Sequence, residues 1–359
     1  MVGELTENGG LFACACDEDP GPDPGPDPVL PQDMFVCSWI DDQGRVKTAQ
    51  KKDFLNGDWF GVQTIASTST NLGPVLGNSD LNWRLLWLND GHLQTTSSQS
   101  FDNNQQVSWR TAEAVKLNGR LVPSEIKPAL AFDENNQEWV VLFQDPRDFK
   151  VGRMGLSGWN IRNVQASNFT QVRSQPRISD ISMVYFNGKF HIAFDSEVNN
   201  IEGVWYANSL DAASWSKPVL VQQNSTGKSF YHPVIKVYLS ALYIGMIDAT
   251  YTGSLVGQTV SIYRSGNIGV SWFKIGSIPG NFAPNSDEIG MAVGNIGPNF
   301  GCDLLVIAPT GASGTRLDVY ESSDDSACNM SNINFGATYQ YSAGLNLGAT
   351  GPSIEWYNN

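Results

Sequence analysis

An aromatic residue returns along this chain at a nearly constant interval, each time beside a short strand-like run. The series is Trp59-Phe-Gly-Val, Trp109-Arg-Thr-Ala, Trp159-Asn-Ile-Arg, Trp215-Ser-Lys-Pro, Trp272-Phe-Lys-Ile and Phe335-Gly-Ala-Thr, with gaps of 50, 50, 56, 57 and 63 residues. A period of that size in β-rich sequence belongs to a propeller whose blades each hold about four strands. Six aromatic positions therefore predict an all-β, six-bladed ring. A five-bladed ring with an irregular N-terminal extension is the alternative.

Within the period, individual strands can be read. Ile181–Phe186 and Lys189–Phe194 flank Asn187-Gly188, a two-residue hairpin signal because both turn positions need positive φ. The next repeat follows the same plan with Val234–Tyr238, Leu242–Ile247 and Thr259–Arg264. The third repeat uses Ala129–Phe132 and Trp139–Phe143, and the second is expected to start at Trp83-Arg-Leu-Leu-Trp87. The first repeat, Phe35 to about Ile65, is short. Ser353–Tyr357 at the C-terminal end is expected to supply its missing strand and close the ring, which removes exposed sheet edges.

Residues 1–33 are of a different composition, and 34–359 form the propeller. Positions 17–31 run Asp-Glu-Asp-Pro-Gly-Pro-Asp-Pro-Gly-Pro-Asp-Pro-Val-Leu-Pro. Glycine at every fourth position excludes a collagen helix, and proline with mutually repelling aspartates predicts an extended spacer. It separates an apolar tip, residues 10–16, from the propeller. The expectation is that residues 1–33 dock on another subunit of an assembly.

The 36 acidic against 22 basic residues, net −14, repel phosphate, so neither nucleic acid nor an anionic membrane is an expected partner. No apolar run reaches the ~18 residues of a membrane span, and no secretory signal is visible near Met1. The expected location is extracellular or on a virion. The five cysteines, Cys14, Cys16, Cys37, Cys302 and Cys328, show no zinc spacing with His92, His191 or His232, and are read mainly as buried thiols. No cofactor is expected. A structural calcium ion at Asp41-Asp42 or Asp324-Asp325 is the one exception considered, against the plainer reading of solvated turns. His191, alternating with Phe190 and Ile192, reads as a structural histidine.

Ser265-x-Asn267-x-Gly269-x-x-Trp272 has the spacing of the Asp-box, Ser-x-Asp-x-Gly-x-x-Trp, with asparagine in place of aspartate. Ser209-x-Asp211 with Trp215 is one residue shorter. Ser100-x-Asp102 with Trp109 and Ser322-x-Asp324 with Phe335 are longer. In these motifs the chain resembles the sialidase-like propellers, where the box occupies an outer turn away from the active site. Its mechanics are local: the serine and Asp/Asn oxygens bond turn amides, glycine relieves a positive φ and tryptophan packs between blades. The resemblance implies a fold. The catalytic requirements of that family, three arginines around a substrate carboxylate and a tyrosine–glutamate pair, are not matched.

Residues entering the innermost strand of each blade should surround an axial pocket. Those segments carry Asp80/Asn82/Arg84, Glu125/Lys127, Arg177/Asp180, Tyr231/His232 and Asn285/Asp287/Glu288. The expected ligand-binding set is Arg84, Lys127, Arg177, Asp180, Tyr231, His232, Asp287 and Glu288. Such a ring suits a polar ligand such as a sugar, or it merely lines a watery channel. A glycosidase needs two opposed carboxylates, for which Asp180 with Asp287 or Glu288 would be the candidates. The function expected from these features is a non-catalytic binding or structural propeller that recognises surface glycans. Its N-terminal segment would join it to a larger assembly such as a phage or virus appendage (tail fibre, decoration or receptor-binding protein). A secreted lectin and a glycoside hydrolase are the alternatives.

Overall fold

The computed structural model describes residues 34–41, 43–51, 60–68, 72–79, 82–101, 106–145, 148–155, 158–164, 180–251, 255–280, 288–294, 303–310, 316–321, 339–341 and 350–357. The spacer and tip proposed for residues 1–33 lie outside them. Among the described residues every regular element is a strand, and no helix is long and apolar enough to cross a membrane. The chain is a β-propeller.

Five blade sheets are contiguous in sequence, and a separate two-stranded sheet, Lys116–Leu117 with Arg120–Leu121, falls between blades 2 and 3 in the chain. Blade 2 holds Val75–Ser79, Asn82–Asn89, His92–Phe101 and Val107–Trp109, with Glu113–Ala114 as a fifth strand. Blade 3 holds Ala129–Asp133, Glu138–Asp145, Asp148–Gly155 and Gly158–Asn163; blade 4 holds Ile181–Phe186, Lys189–Val198, Ile201–Ser209 and Val219–Gln223. Blade 5 is Lys228–Tyr238, Ala241–Tyr251, Leu255–Ser265 and Phe273–Gly280, and blade 6 is Gly290–Gly294, Asp303–Thr310, Arg316–Glu321 and Tyr339–Tyr341. Blade 1 is composite. The C-terminal strand Thr350–Tyr357 pairs antiparallel with Met34–Ile40, followed by Arg45–Lys51 and Phe60–Ser67. The register, Phe35 opposite Trp356 and Cys37 opposite Ile354, joins both chain ends in one sheet, as the short first repeat led one to expect. The first strand of each blade touches the first strand of the next, and blade 6 touches blade 1, so the ring closes.

The core is layered between blades because every sheet is covered on both faces. In Asn82–Asn89, Leu85 and Trp87 pack towards blade 1, whereas Leu86 and Leu88 pack towards blade 3. In Ala241–Tyr251, Tyr243 and Ile247 face blade 6, while Leu242, Ile244 and Met246 face blade 4. Successive side chains of a strand point to opposite faces, so a strand buried on both sides reads as an unbroken apolar run.

The aromatic period marks the outermost strands. Trp109 and Trp159 lie in the fourth strands of blades 2 and 3, and Trp215 and Trp272 just precede those of blades 4 and 5; Trp59 and Phe335 fall outside the described residues. The two Asp-box-like turns are wired as their chemistry requires. In blade 5, Gly269 N donates to Ser265 Oγ (2.8 Å) and Ser271 N to Asn267 Oδ1 (2.9 Å). Gly269 has φ +86°, and a Cβ there would lie 2.0 Å from the Tyr206 ring of blade 4. Trp272 meets that ring edge-on at 5.3 Å. In blade 4, Asp211 Oδ1 accepts from Ala213 N (2.9 Å) and Ser214 N (2.7 Å). Ala212 takes the positive φ there in place of glycine.

One boundary differs from the sequence reading. The innermost strand of blade 2 is Val75–Ser79, not the Trp83 run, which is the second strand. Val-Leu-Gly-Asn-Ser has no strong β pattern. Its glycine is required by packing, since a Cβ on Gly77 would approach the Trp139 ring to 2.6 Å.

Candidate functional site

The starts of the innermost strands converge on the axis, as the ring geometry demands. Lys127, immediately before the first strand of blade 3, reaches across to Glu288, which enters blade 6 on the opposite side. Lys127 Nζ lies 2.5 Å from Glu288 Oε2, and Gly73 N donates to Glu288 Oε1 at 3.1 Å. Asp180, entering blade 4, is held by a bond from its own amide to Asp195 Oδ1 (2.9 Å). Its Oδ2 contacts Nδ1 of His232, on the first strand of blade 5. His232 sits at a bulge before Pro233 with φ +51°, a conformation that turns its ring out of the regular ladder. Burial pushes the imidazole down to about 3, and the Lys127 charge adds to the shift. The ring is therefore neutral at pH 7, with its Nδ1 in contact with the Asp180 carboxylate.

A third acid–base pair crosses the axis deeper in the hub, where Lys236 of blade 5 contacts Glu355 of blade 1. Burial raises the Glu355 pKa, with Lys236 opposing. The space among Lys127, Asp180, His232, Glu288, Lys236 and Glu355 is about 60 Å³. At roughly 10–15 Å³ each it takes a few water molecules, and no sugar ring.

Beyond the Lys236–Glu355 pair the hub opens again. A funnel of about 700 Å³ is lined by the far ends of the innermost strands, all six blades contributing. Its wall includes Phe132, Tyr185 and Tyr238, with Ser79, Glu134 and Gln137 among its polar groups and the Lys236–Glu355 pair at its base. Volumes of about 300–1,000 Å³ are those of ligand pockets. Tyr185 is rigidly placed: its ring lies 4.8 Å from Phe190, and burial and its hydrogen bond to Asp133 both raise its pKa. Asp133 is itself held by Arg153 (2.8 Å) and Asn136 (2.9 Å). Burial disfavours the Asp133 carboxylate, yet these donors keep its pKa below the ordinary value.

Of the residues anticipated from the sequence, Lys127, Asp180, His232 and Glu288 meet at the closed end. Tyr231 adjoins them, its ring 4.8 Å from that of His232, and its hydroxyl accepts from Gln258 Nε2 at 2.7 Å. Arg84 lies elsewhere. It belongs to the second strand of blade 2, where it is buried with its guanidinium 5.7 Å from the Trp139 ring centre. Burial, with Arg110 adding and Glu113 opposing, lowers its pKa to about 10. The misplaced inner strand of blade 2 is what put Arg84 on the rim. Arg177 and Asp287 lie outside the described residues. The funnel aromatics were missed, although a signal exists. Phe132, Tyr185 and Val293 stand five residues after Lys127, Asp180 and Glu288 (132 − 127, 185 − 180, 293 − 288). Tyr238 stands six after His232 because of the bulge.

Other candidate features are structural. His191 is fully buried, with Nδ1 2.6 Å from the Tyr206 hydroxyl and Nε2 3.1 Å from the Phe186 carbonyl. The Asp41 carboxylate accepts from Gln43 N, Arg45 N and Arg45 Nε at 2.7–3.0 Å. Asp324 and Asp325 lie outside the described residues. Among the described residues no cluster of three metal-ligating side chains occurs. Cys37 is a buried free thiol whose pKa burial raises; the other four cysteines lie outside the described residues.

Solved structures resemble this architecture. TolB from Acinetobacter baumannii overlaps with a TM-score of 0.52 at 12% identity, covering 91% of this chain and 67% of its own. An α-L-arabinofuranosidase from Fusarium graminearum, solved with an iminosugar inhibitor, overlaps with a TM-score of 0.50 at 10% identity, covering 73% and 80%. The likeness is one of fold. A Trypanosoma rangeli sialidase overlaps more loosely, at a TM-score of 0.48 and 12% identity over 82% of this chain and 51% of its own. No protein-family model and no curated protein matches the sequence.

Proposed function

We propose that this propeller is a non-catalytic binding module that recognises glycans, carried in a larger assembly by its N-terminal segment. The observation that carries the reading is the pairing at the closed end of the hub. A glycosidase keeps two carboxylates free to face a sugar from either side. Here Glu288 is bound by Lys127 and Asp180 by His232, in a chamber of about 60 Å³. Pairs of this kind lock neighbouring and opposite blades together, and they engage both of the candidate carboxylates that lie among the described residues. The proline- and aspartate-rich composition of residues 17–31 supports attachment through a stiff spacer, as in the appendages of phage or virus particles. Many copies on one particle would convert weak sugar contacts into avidity.

A glycoside hydrolase is the second reading. It is favoured by the arabinofuranosidase fold likeness and by Glu355, whose raised pKa is a property of a general acid. The full chain should bind on a glycan array while releasing no reducing sugar from the same glycans. Product formation that Asp180→Asn or Glu288→Gln abolishes, in a protein that still folds, would overturn the proposal in favour of the enzyme.

A further inference from the structure

The two ends of the hub differ in what they can hold, and the residues anticipated as a binding rim are at the wrong one. We infer that the ligand site is the funnel of Phe132, Tyr185 and Tyr238 at the far ends of the innermost strands, and that it takes an uncharged saccharide. The inference rests on the glycan-binding reading and gives it a location and a ligand class.

Four observations converge. The funnel's volume, about 700 Å³, is more than ten times that of the chamber at the closed end. Its wall is built from all six blades, so every interblade contact in the ring helps to fix it, and binding would require little ordering of the wall. Its aromatics are half-buried, each with part of a ring in the wall and part open, and an apolar ring face beside polar groups is what a pyranose needs. Tyr185 in particular is immobilised by Phe190 below and Asp133 at its hydroxyl.

Charge selects the class of sugar. Among the described residues the acidic and basic groups lining the funnel are Glu134, Lys236 and Glu355, and Lys236 is already engaged by Glu355. No arginine among the described residues lines it. A sialylated, uronic or sulfated glycan would bring its anion to Glu134 in a chain of net charge −14, where the one cation among the described lining residues, Lys236, is already paired. A neutral hexose or pentose meets no such penalty. It can accept from Lys236, donate to Glu134 and Gln137 and lay a ring face on Tyr185 or Tyr238.

The test uses the full chain on an array carrying neutral gluco-, galacto-, manno- and arabino-oligosaccharides beside sialylated and sulfated ones, with dissociation constants for hits from calorimetry. Neutral glycans should bind. Tyr185→Ala and Tyr238→Ala should each weaken binding at least tenfold, Tyr185→Phe should retain it, and His232→Gln at the closed end should leave it within twofold. Should an alanine variant fail to fold by circular dichroism, Glu134→Trp replaces it. Glu134 is exposed at the mouth, so a bulky ring there blocks entry without disturbing the core. Glycan binding that survives Tyr238→Ala and Glu134→Trp but is lost in a His232→Gln variant that folds by circular dichroism would overturn the location while leaving the proposed function standing. Preferential binding of anionic glycans would overturn the ligand class. Absence of any glycan binding would overturn both this inference and the function on which it rests.

Discussion

The two ends of the hub are made from the same six strands and behave as different materials. At one end, residues entering those strands find partners in each other: Lys127 meets the opposite charge of Glu288 across the axis, and Asp180 meets the neutral His232 ring of the neighbouring blade. At the other, positions about five residues along carry Phe132, Tyr185 and Tyr238, which cannot neutralise one another and so leave the space open. A ring of strands spreads or converges little over that distance. The side chains therefore decide which end closes. Polar residues around an axis are commonly taken as the mark of a binding site, but complementary charges close on themselves first, and a site must be sought where they cannot.

The largest effect should follow from breaking the closed end. Lys127→Met leaves Glu288 without its cation, and Glu288 is only 5% exposed. Unpairing a buried charge costs about 3–5 kcal/mol, which urea unfolding will register. Glu355→Gln should cost less, about 1–3 kcal/mol, because Lys236 then loses a charged acceptor in a site that retains some solvent. Because Glu355→Gln acts at the partition between chamber and funnel, it should also alter binding in the funnel more than His232→Gln does.

His232 gives the closed end a pH signature. Its pKa falls from the model-compound 6.5 to about 3 in the folded chain, so between those values the unfolded chain binds the extra proton. Stability contributed by the neutral ring is present above pH 6.5 and is lost as pH falls towards 3, by up to about 1.4 kcal/mol per pH unit. Unfolding free energies measured across pH 3–7 should show this slope, and His232→Gln should flatten it. If the slopes are equal, the imidazole is not held neutral. The smallest effect is expected at the funnel rim and in the turn beside Tyr238. Gln137→Ala and Leu239→Ser, at exposed positions, should change stability by no more than about 0.5 kcal/mol, a contrast with Lys127→Met that calorimetric melting can confirm.

Much of this architecture was legible in the chain. The Asn187-Gly188 hairpin and the Asp-box-like turns are local signals, each fixed by turn chemistry within ten residues, and together with the aromatic period they located the blades. Closure through Ser353–Tyr357 could be read because a short first repeat leaves one strand unaccounted for. Val75–Ser79 escaped because its place is set by Trp139 of the next blade crowding Gly77, a contact between residues far apart in sequence. The same limit applied to the site. Sequence could align Lys127, Asp180, His232 and Glu288 as equivalent steps. Whether they face a ligand or each other depends on which blades stand opposite, and that only the closed ring determines.

The most direct test of this division is a double-mutant cycle on Lys127 and Glu288, using Lys127→Met, Glu288→Gln and the two together. If the pair closes the hub, the double variant should recover most of the stability lost by either single change, giving a coupling of at least about 1.5 kcal/mol. Two nearly neutral single variants with no coupling would mean that these groups face solvent or substrate, that the end is open and that Glu288 is free for chemistry.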